Sequence, residues 1–221
     1  MLKAGEFMNT AASVITKTRA QPQLQTNAKK KHVGILSGAF NPIHNGHLMI
    51  AEQVYEQLDL DKILFIPDKI PPHRGISRYI PKVSVDDRIN MVKYGIRDNP
   101  HFELDMTDID LGGVSYTYET IKHLKERNPN TEYYLIVGYD MVENLPKWSH
   151  IDELVKEVHF VGVCRKGFEK KSDYPILWVN TPVIEISSTV IRQRVREGKS
   201  LKYFVPDDVA WYIKDKGIYK K

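Results

Sequence analysis

Two histidines three residues apart, His44 and His47, carry the first chemical signal in this chain. They stand in the stretch Gly34-Ile35-Leu36-Ser37-Gly38-Ala39-Phe40-Asn41-Pro42-Ile43-His44-Asn45-Gly46-His47-Leu48. On the first turn of a helix such a pair shares a face, and Gly46 removes a side chain from the approach. A helix start offers unpaired N–H groups and partial positive charge, which attract phosphate. The small residues before it let backbone come close to the ligand. Two imidazoles above such a site can donate hydrogen bonds to oxygens that gain charge in a transition state. A zinc site with Glu52 as third ligand is the rival reading; it leaves the glycine loop and the strand before it without a purpose.

Glu185-Ile186-Ser187-Ser188-Thr189-Val190-Ile191-Arg192 is the second chemical stretch. A strand end feeds hydroxyl residues at a helix start, where Ser187, Ser188 and their N–H groups can bind an anion. Arg192, one turn on, can reach back with a fork suited to phosphate oxygens. The same residues also suit an ordinary serine-capped helix with Arg192 on a solvated face. Two helix starts with polar first turns fit a polyphosphate better than one phosphate.

The elements that must position these residues follow from periodicity. Strands are expected at Val33–Leu36, Lys62–Pro67, His101–Leu104, Glu132–Val137 and Val158–Cys164, with Ile176–Val179 and Val183–Glu185 extended. Helices are expected over Gly46–Leu58, from a Ser84 cap to about Arg97, from Ser115 to about Asn128, over Met141–Leu145 and Ile151–Leu154, over Ser187–Glu197, and over Asp207–Lys216. Ser115 with Tyr118-Glu119 comes near a capping box, and Pro67 to Pro81 reads as a long loop. Alternating strands and helices imply a doubly wound, Rossmann-like α/β fold: one parallel sheet with helices on both faces, in a single domain with a short C-terminal helix. Ligands then bind beyond the carboxyl ends of the strands, where the loops after them converge.

The chain has 221 residues, enough for one domain with a sizeable core. No apolar run approaches the ~20 residues that span a bilayer, so no membrane partner is expected. A single cysteine, Cys164, excludes an internal disulfide framework and fits a reducing cytoplasm. The net charge of +4 resides in the leader: residues 1–31 hold six basic groups against Glu6 alone, and residues 32–221 hold 26 basic and 27 acidic groups. The body therefore shows no basic excess that would call for nucleic acid. Residues 1–31 read as a disordered or appended leader, and 32–221 as the domain. A homo-oligomer is compatible with the sequence.

The motifs Gly38…Asn41-Pro42…His44-Asn45-Gly46-His47 and Ile186-Ser187-Ser188-Thr189…Arg192 resemble those of the nucleotidyltransferase superfamily with the histidine-x-glycine-histidine signature. Within it the chain is similar to the bacterial nicotinate-nucleotide adenylyltransferase family. Pro71-Pro72-His73-Arg74, Ser115-Tyr116-Thr117, Gly138-x-Asp140, Lys147-Trp148 and Arg165 match as well.

The resemblance implies transfer of AMP from ATP to nicotinate mononucleotide, giving deamido-NAD and pyrophosphate, with no covalent enzyme intermediate. It implies that His44, His47 and Arg192 serve catalysis, and that Gly38, Ala39, Phe40, Gly138, Asp140, Ile186, Ser187 and Ser188 bind ATP. Asn41, Lys69, Arg74, Thr117, Trp148 and Arg165 would meet the mononucleotide: Trp148 by stacking on the pyridine, Thr117 and nearby N–H groups at the carboxylate. Mg2+ would bridge phosphates and keep its waters, with no cage of protein ligands. Ala39 replaces the family's usual hydroxyl residue, and Tyr139 its usual small residue. The rivals are a sister adenylyltransferase acting on nicotinamide mononucleotide or phosphopantetheine, a cytidylyltransferase, and a non-catalytic nucleotide-binding module.

Overall fold

The continuous apolar runs become the central strands of a parallel sheet, buried on both faces. The computed structural model describes residues 30–71, 83–165, 171–182 and 185–220. The strands are β1 (Lys31–Gly38), β2 (Lys62–Pro67), β3 (Phe102–Leu104), β4 (Thr131–Gly138), β5 (His159–Arg165) and β6 (Ile176–Thr181). They pair in the order β3-β2-β1-β4-β5-β6, all parallel. Ile35 of β1 lies in register with Leu64 on one side and Leu135 on the other.

Alternation along each strand divides the core into two layers. Leu36, Ile63, Phe65, Ile136, Val161 and Val163 face one layer. It is closed by α1 (Asn45–Gln57), α2 (Val85–Ile96), α7 (Ser188–Arg196) and α8 (Asp207–Asp215). Val33, Ile35, Leu64, Ile66, Leu135 and Val137 face the other. It is closed by α4 (Thr117–Arg127), α5 (Tyr139–Val142) and α6 (Ile151–Glu157). Strand order reverses between β1 and β4, which opens the crevice where a doubly wound sheet binds ligands.

The elements differ from expectation at four places. A short helix α3 (Thr107–Leu111) occupies an acidic stretch without apolar periodicity. The expected Met141–Leu145 helix is α5 followed by a 3-10 turn at Leu145–Lys147, as Pro146 cannot continue the α-helical ladder. Ser115 does not cap α4, whose N-cap is Tyr116 with no side-chain bond; its Oγ accepts the Lys69 N–H at 2.8 Å instead. β1 begins at Lys31, whose N–H donates to the Asn130 carbonyl at 3.2 Å, so the domain takes in the end of the expected leader. The extended stretch expected at Val183–Glu185 falls largely outside the described residues, as do residues 72–82 of the long loop.

Candidate active site

Leaving β1, the chain turns at Phe40, whose backbone is left-handed (φ 43°), and crosses a cis Asn41–Pro42 bond. It reaches His44, the N-cap of α1. The two histidines cap each other: His44 Nδ1 accepts the His47 N–H at 3.3 Å, and His47 Nδ1 accepts the His44 N–H at 3.2 Å. Their rings stack with centroids 3.6 Å apart. With Nδ1 used as acceptor, each neutral ring carries its proton on Nε2. Burial lowers the His44 pKa to about 4, and burial with the neighbouring His44 holds His47 well below its ordinary value. The pair is therefore two neutral Nε2–H donors at physiological pH.

The loop is held from behind by residues distant in sequence. The Arg192 guanidinium donates to the Asn41 carbonyl at 2.8 Å and to Thr189 Oγ1 at 3.0 Å. Ser188 Oγ donates to the Pro42 carbonyl at 2.8 Å. The Tyr219 hydroxyl donates to Asn41 Oδ1 at 2.5 Å. Arg88 of α2 donates to the carbonyls of Ala39 at 2.7 Å and Asp68 at 2.6 Å. The Asn45 N–H is taken by the Phe204 carbonyl at 2.9 Å and that of His47 by His44. The Gly46 N–H, at a cavity wall, is the first-turn donor left to a ligand.

Two ligand-sized cavities flank the crevice. One, of about 520 Å³, is walled by His44, Gly46, Gly138, Asp140, Cys164 and Ile186. A Cβ on Gly46 would come 3.1 Å from His44 Nδ1, and one on Gly138 would come 2.7 Å from Asp140 Oδ1. Both positions need glycine to leave those side chains where they are. The other cavity, of about 620 Å³, is walled by Gly38, Asp68, Asp108, Thr117, Lys147 and Trp148. Trp148 packs edge-on to Phe160 with centroids 6.2 Å apart, and its Nε1–H is buried with no partner among the described residues. Both volumes lie in the range of small-molecule sites.

The structure thus brings His44, Gly38, Gly138, Asp140, Ile186, Thr117 and Trp148 to the two cavities, and Arg192 and Ser188 to the loop between them. Phe40 is buried with its edge against His47, and the Ala39 carbonyl is engaged by Arg88. Ser187 Oγ caps α7 through the Val190 N–H at 3.3 Å. The Asn41 side chain turns inward to Tyr219 and walls neither cavity. Lys69 is tied by its N–H to Ser115. Arg74 and the Arg165 side chain lie outside the described residues. Glu52, the zinc reading's third ligand, accepts from Asn99 Nδ2 at 2.6 Å. Among the described residues no group of three or more His, Cys, Asp or Glu side chains could hold a metal ion.

Sequence reasoning missed Arg88, Asp68, Asp108 and Tyr219. A signal existed for Arg88, which shares the buried stripe of α2 with Met91 and Val92. A cation on an apolar stripe implies a buried acceptor.

Asp68 follows β2. Burial raises its pKa to about 7, with Asp108 adding to the shift and Arg88 opposing it. Burial raises Asp108 too. These groups and the histidines push stability in opposite directions. His44 stays neutral until about pH 4 in the fold but protonates near 6.5 when unfolded, so acidification from 6.5 to 4 destabilises. Asp68 is protonated up to about 7 in the fold but only to 3.8 unfolded, so its contribution is full below 3.8 and is lost as pH rises through 7. Each term is about 2 kcal/mol between pH 7 and 5. Asp68→Asn should therefore deepen the fall in stability on acidification from pH 7 to 5 by about that size relative to the parent protein. Urea unfolding at the two pH values measures it.

Residues 35–194 match the Cytidylyltransferase-like family. The chain is 50% identical over 212 residues to a probable nicotinate-nucleotide adenylyltransferase of Lactiplantibacillus plantarum, covering 96% of each chain. It is 42% identical over 190 residues to the nicotinate-nucleotide adenylyltransferase of Bacillus subtilis, covering 86% of this chain and 99% of that one. The fold is that of Plasmodium falciparum nicotinic acid mononucleotide adenylyltransferase complexed with NaAD: TM-score 0.67, 20% identity, 86% of this chain and 97% of that one. By these likenesses the chain belongs to the nicotinate-nucleotide adenylyltransferase family of cytidylyltransferase-like proteins.

Proposed function

We propose that the protein transfers AMP from ATP to nicotinate mononucleotide, releasing pyrophosphate and forming deamido-NAD. The observation that carries this reading is the pair of cavities on either side of β1 and β4, with the His44–His47 loop beside them. ATP takes the cavity walled by His44, Gly46, Gly138, Asp140 and Ile186. The mononucleotide takes the cavity of Thr117 and Trp148, with its phosphate toward Gly38.

A phosphate oxygen of the mononucleotide attacks the α-phosphorus of ATP in line, and the bond to the bridging oxygen of pyrophosphate breaks. The acceptor is itself a nucleophile, so the protein supplies position and charge stabilisation. The Nε2–H groups of His44 and His47 donate to phosphoryl oxygens as charge builds, together with the Gly46 N–H. Being neutral, the rings donate without first having to be protonated. One Arg192 N–H holds the loop at the Asn41 carbonyl, another bonds Thr189 in its own helix, and the rest have capacity for the outer phosphates, beside the N–H groups of Ser187 and Ser188. A Mg2+ ion arriving with the triphosphate would be bound by phosphate oxygens and water. No described helix is long and apolar enough to cross a membrane, and the buried thiol of Cys164 suits a reducing cytoplasm.

The test offers ATP with nicotinate mononucleotide, nicotinamide mononucleotide or phosphopantetheine and follows pyrophosphate. Fastest release with the nicotinate form supports the reading; preference for phosphopantetheine overturns it.

A further inference from the structure

The second cavity holds two carboxylates that the reaction above leaves without a task. Asp108, in α3, is 3% exposed. It is satisfied: its Oδ1 accepts from Thr120 Oγ1 at 2.5 Å, and the Ser115 hydroxyl also bonds to it. Ser115 in turn accepts the Lys69 N–H, so α3, α4 and the start of the long loop are joined through that oxygen. Asp68 is different. Its N–H donates to the Gly38 carbonyl at 2.9 Å and its carbonyl accepts from Arg88, which fixes the backbone beside the β1 loop. Asp68 walls the cavity that also presents Thr117, Lys147 and Trp148.

A doubly charged acidic pair is the wrong lining for a mononucleotide that carries a phosphate and a ring carboxylate. The repulsion disappears when Asp68 holds a proton, and the group then becomes an O–H donor. On the reading that this cavity takes the pyridine mononucleotide, we propose that Asp68 is a positioning residue for the acceptor, bound in its acid form and donating a hydrogen bond to an oxygen of the incoming nucleotide. Acceptor binding is thereby coupled to one proton.

The surroundings favour the proton. Asp108 faces Asp68 from α3, with Asp105 behind it paired to Arg127. The hydroxyl residues Ser115 and Thr117 line the start of α4. Among the described residues, cations near this cavity include Arg88 from α2, which donates to the Ala39 and Asp68 carbonyls, and Lys147, whose Nζ donates to Asn144 Oδ1 at 3.2 Å. Burial and Asp108 outweigh Arg88 and hold Asp68 near neutrality, within reach of cellular pH.

The test is the pH profile of KM and kcat for nicotinate mononucleotide in the parent protein, Asp68→Asn and Asp68→Leu, at saturating ATP. In the parent, KM should rise about tenfold per pH unit once Asp68 ionises, as uptake of one proton dictates, while kcat changes little. Asp68→Asn keeps a donor without a titration, so its KM should stay flat from pH 7 to 9. Asp68→Leu keeps the bulk and loses the donor, so its KM should be raised at every pH. The phosphate of the mononucleotide titrates near pH 6 and moves all three proteins alike. Identical profiles in the parent and Asp68→Asn, with turnover intact, overturn this inference alone. Absence of turnover with nicotinate mononucleotide at every pH overturns the functional reading, and the inference with it.

Discussion

Alanine at position 47 should lower the rate of pyrophosphate release about 10²–10³-fold, the loss that follows removal of one transition-state hydrogen-bond donor. The fall should appear in kcat, because the donor strengthens only as charge builds on the phosphoryl oxygens. The variant loses three things at once: its own Nε2–H, the ring stacked on His44, and the acceptor for the His44 N–H. The last two are structural, and losing half of a capping box costs about 1 kcal/mol. A folded domain tolerates that, so circular dichroism and urea unfolding should show the fold retained. His47→Gln separates the contributions, since the amide can still accept a backbone N–H but cannot reproduce the ring's Nε2–H. A variant that keeps full kcat would remove His47 from the chemistry.

The second large effect belongs to Arg192. Arg192→Ala should cut turnover by 10²-fold or more and reduce stability by about 1–3 kcal/mol. Arg192 is 8% exposed and its guanidinium satisfies the Asn41 carbonyl, which would be left buried without a donor. The loop that carries His44 then loses its anchor, so activity and stability fall together. Arg192→Lys should recover little, as one ammonium cannot span the Asn41 carbonyl and Thr189 in the planar geometry of a fork. Urea midpoints and initial rates on the same preparations measure both. Turnover that survives with the loop destabilised would confine Arg192 to a structural part.

Much of this is legible in the sequence. Continuous apolar runs such as Leu64–Ile66 and Leu135–Val137 mark strands with helices on both faces, because neither face can be polar. The two strand-to-helix junctions were legible from glycine, hydroxyl and histidine positions. Their convergence follows from a parallel sheet, but the strand order does not: β1 and β4 neighbour each other although four helices and two strands separate them in sequence. The mutual cap of His44 and His47 was hidden for a chemical reason. Capping is read from serine, threonine, aspartate and asparagine, and an imidazole Nδ1 does the same work without advertising it. Ser115 erred in the opposite direction: a good capping residue one place early, drawn off by Lys69 and Asp108. Asp68 looked like ordinary turn punctuation after Pro67, and only its placement opposite Asp108 gives it a chemical character.

Tyr219 reaches Asn41 across 178 positions of chain, and Arg192 reaches it across 151. During synthesis the amino-terminal part emerges first, so the glycine loop exists well before its clamps do. Until α7 has docked and Tyr219 has seated, the Asn41 amide and carbonyl have nothing to hold them. A nascent chain can thus form β1, β2 and much of the sheet while the His44–His47 loop is still slack, and that loop is finished only after Tyr219 has left the ribosome.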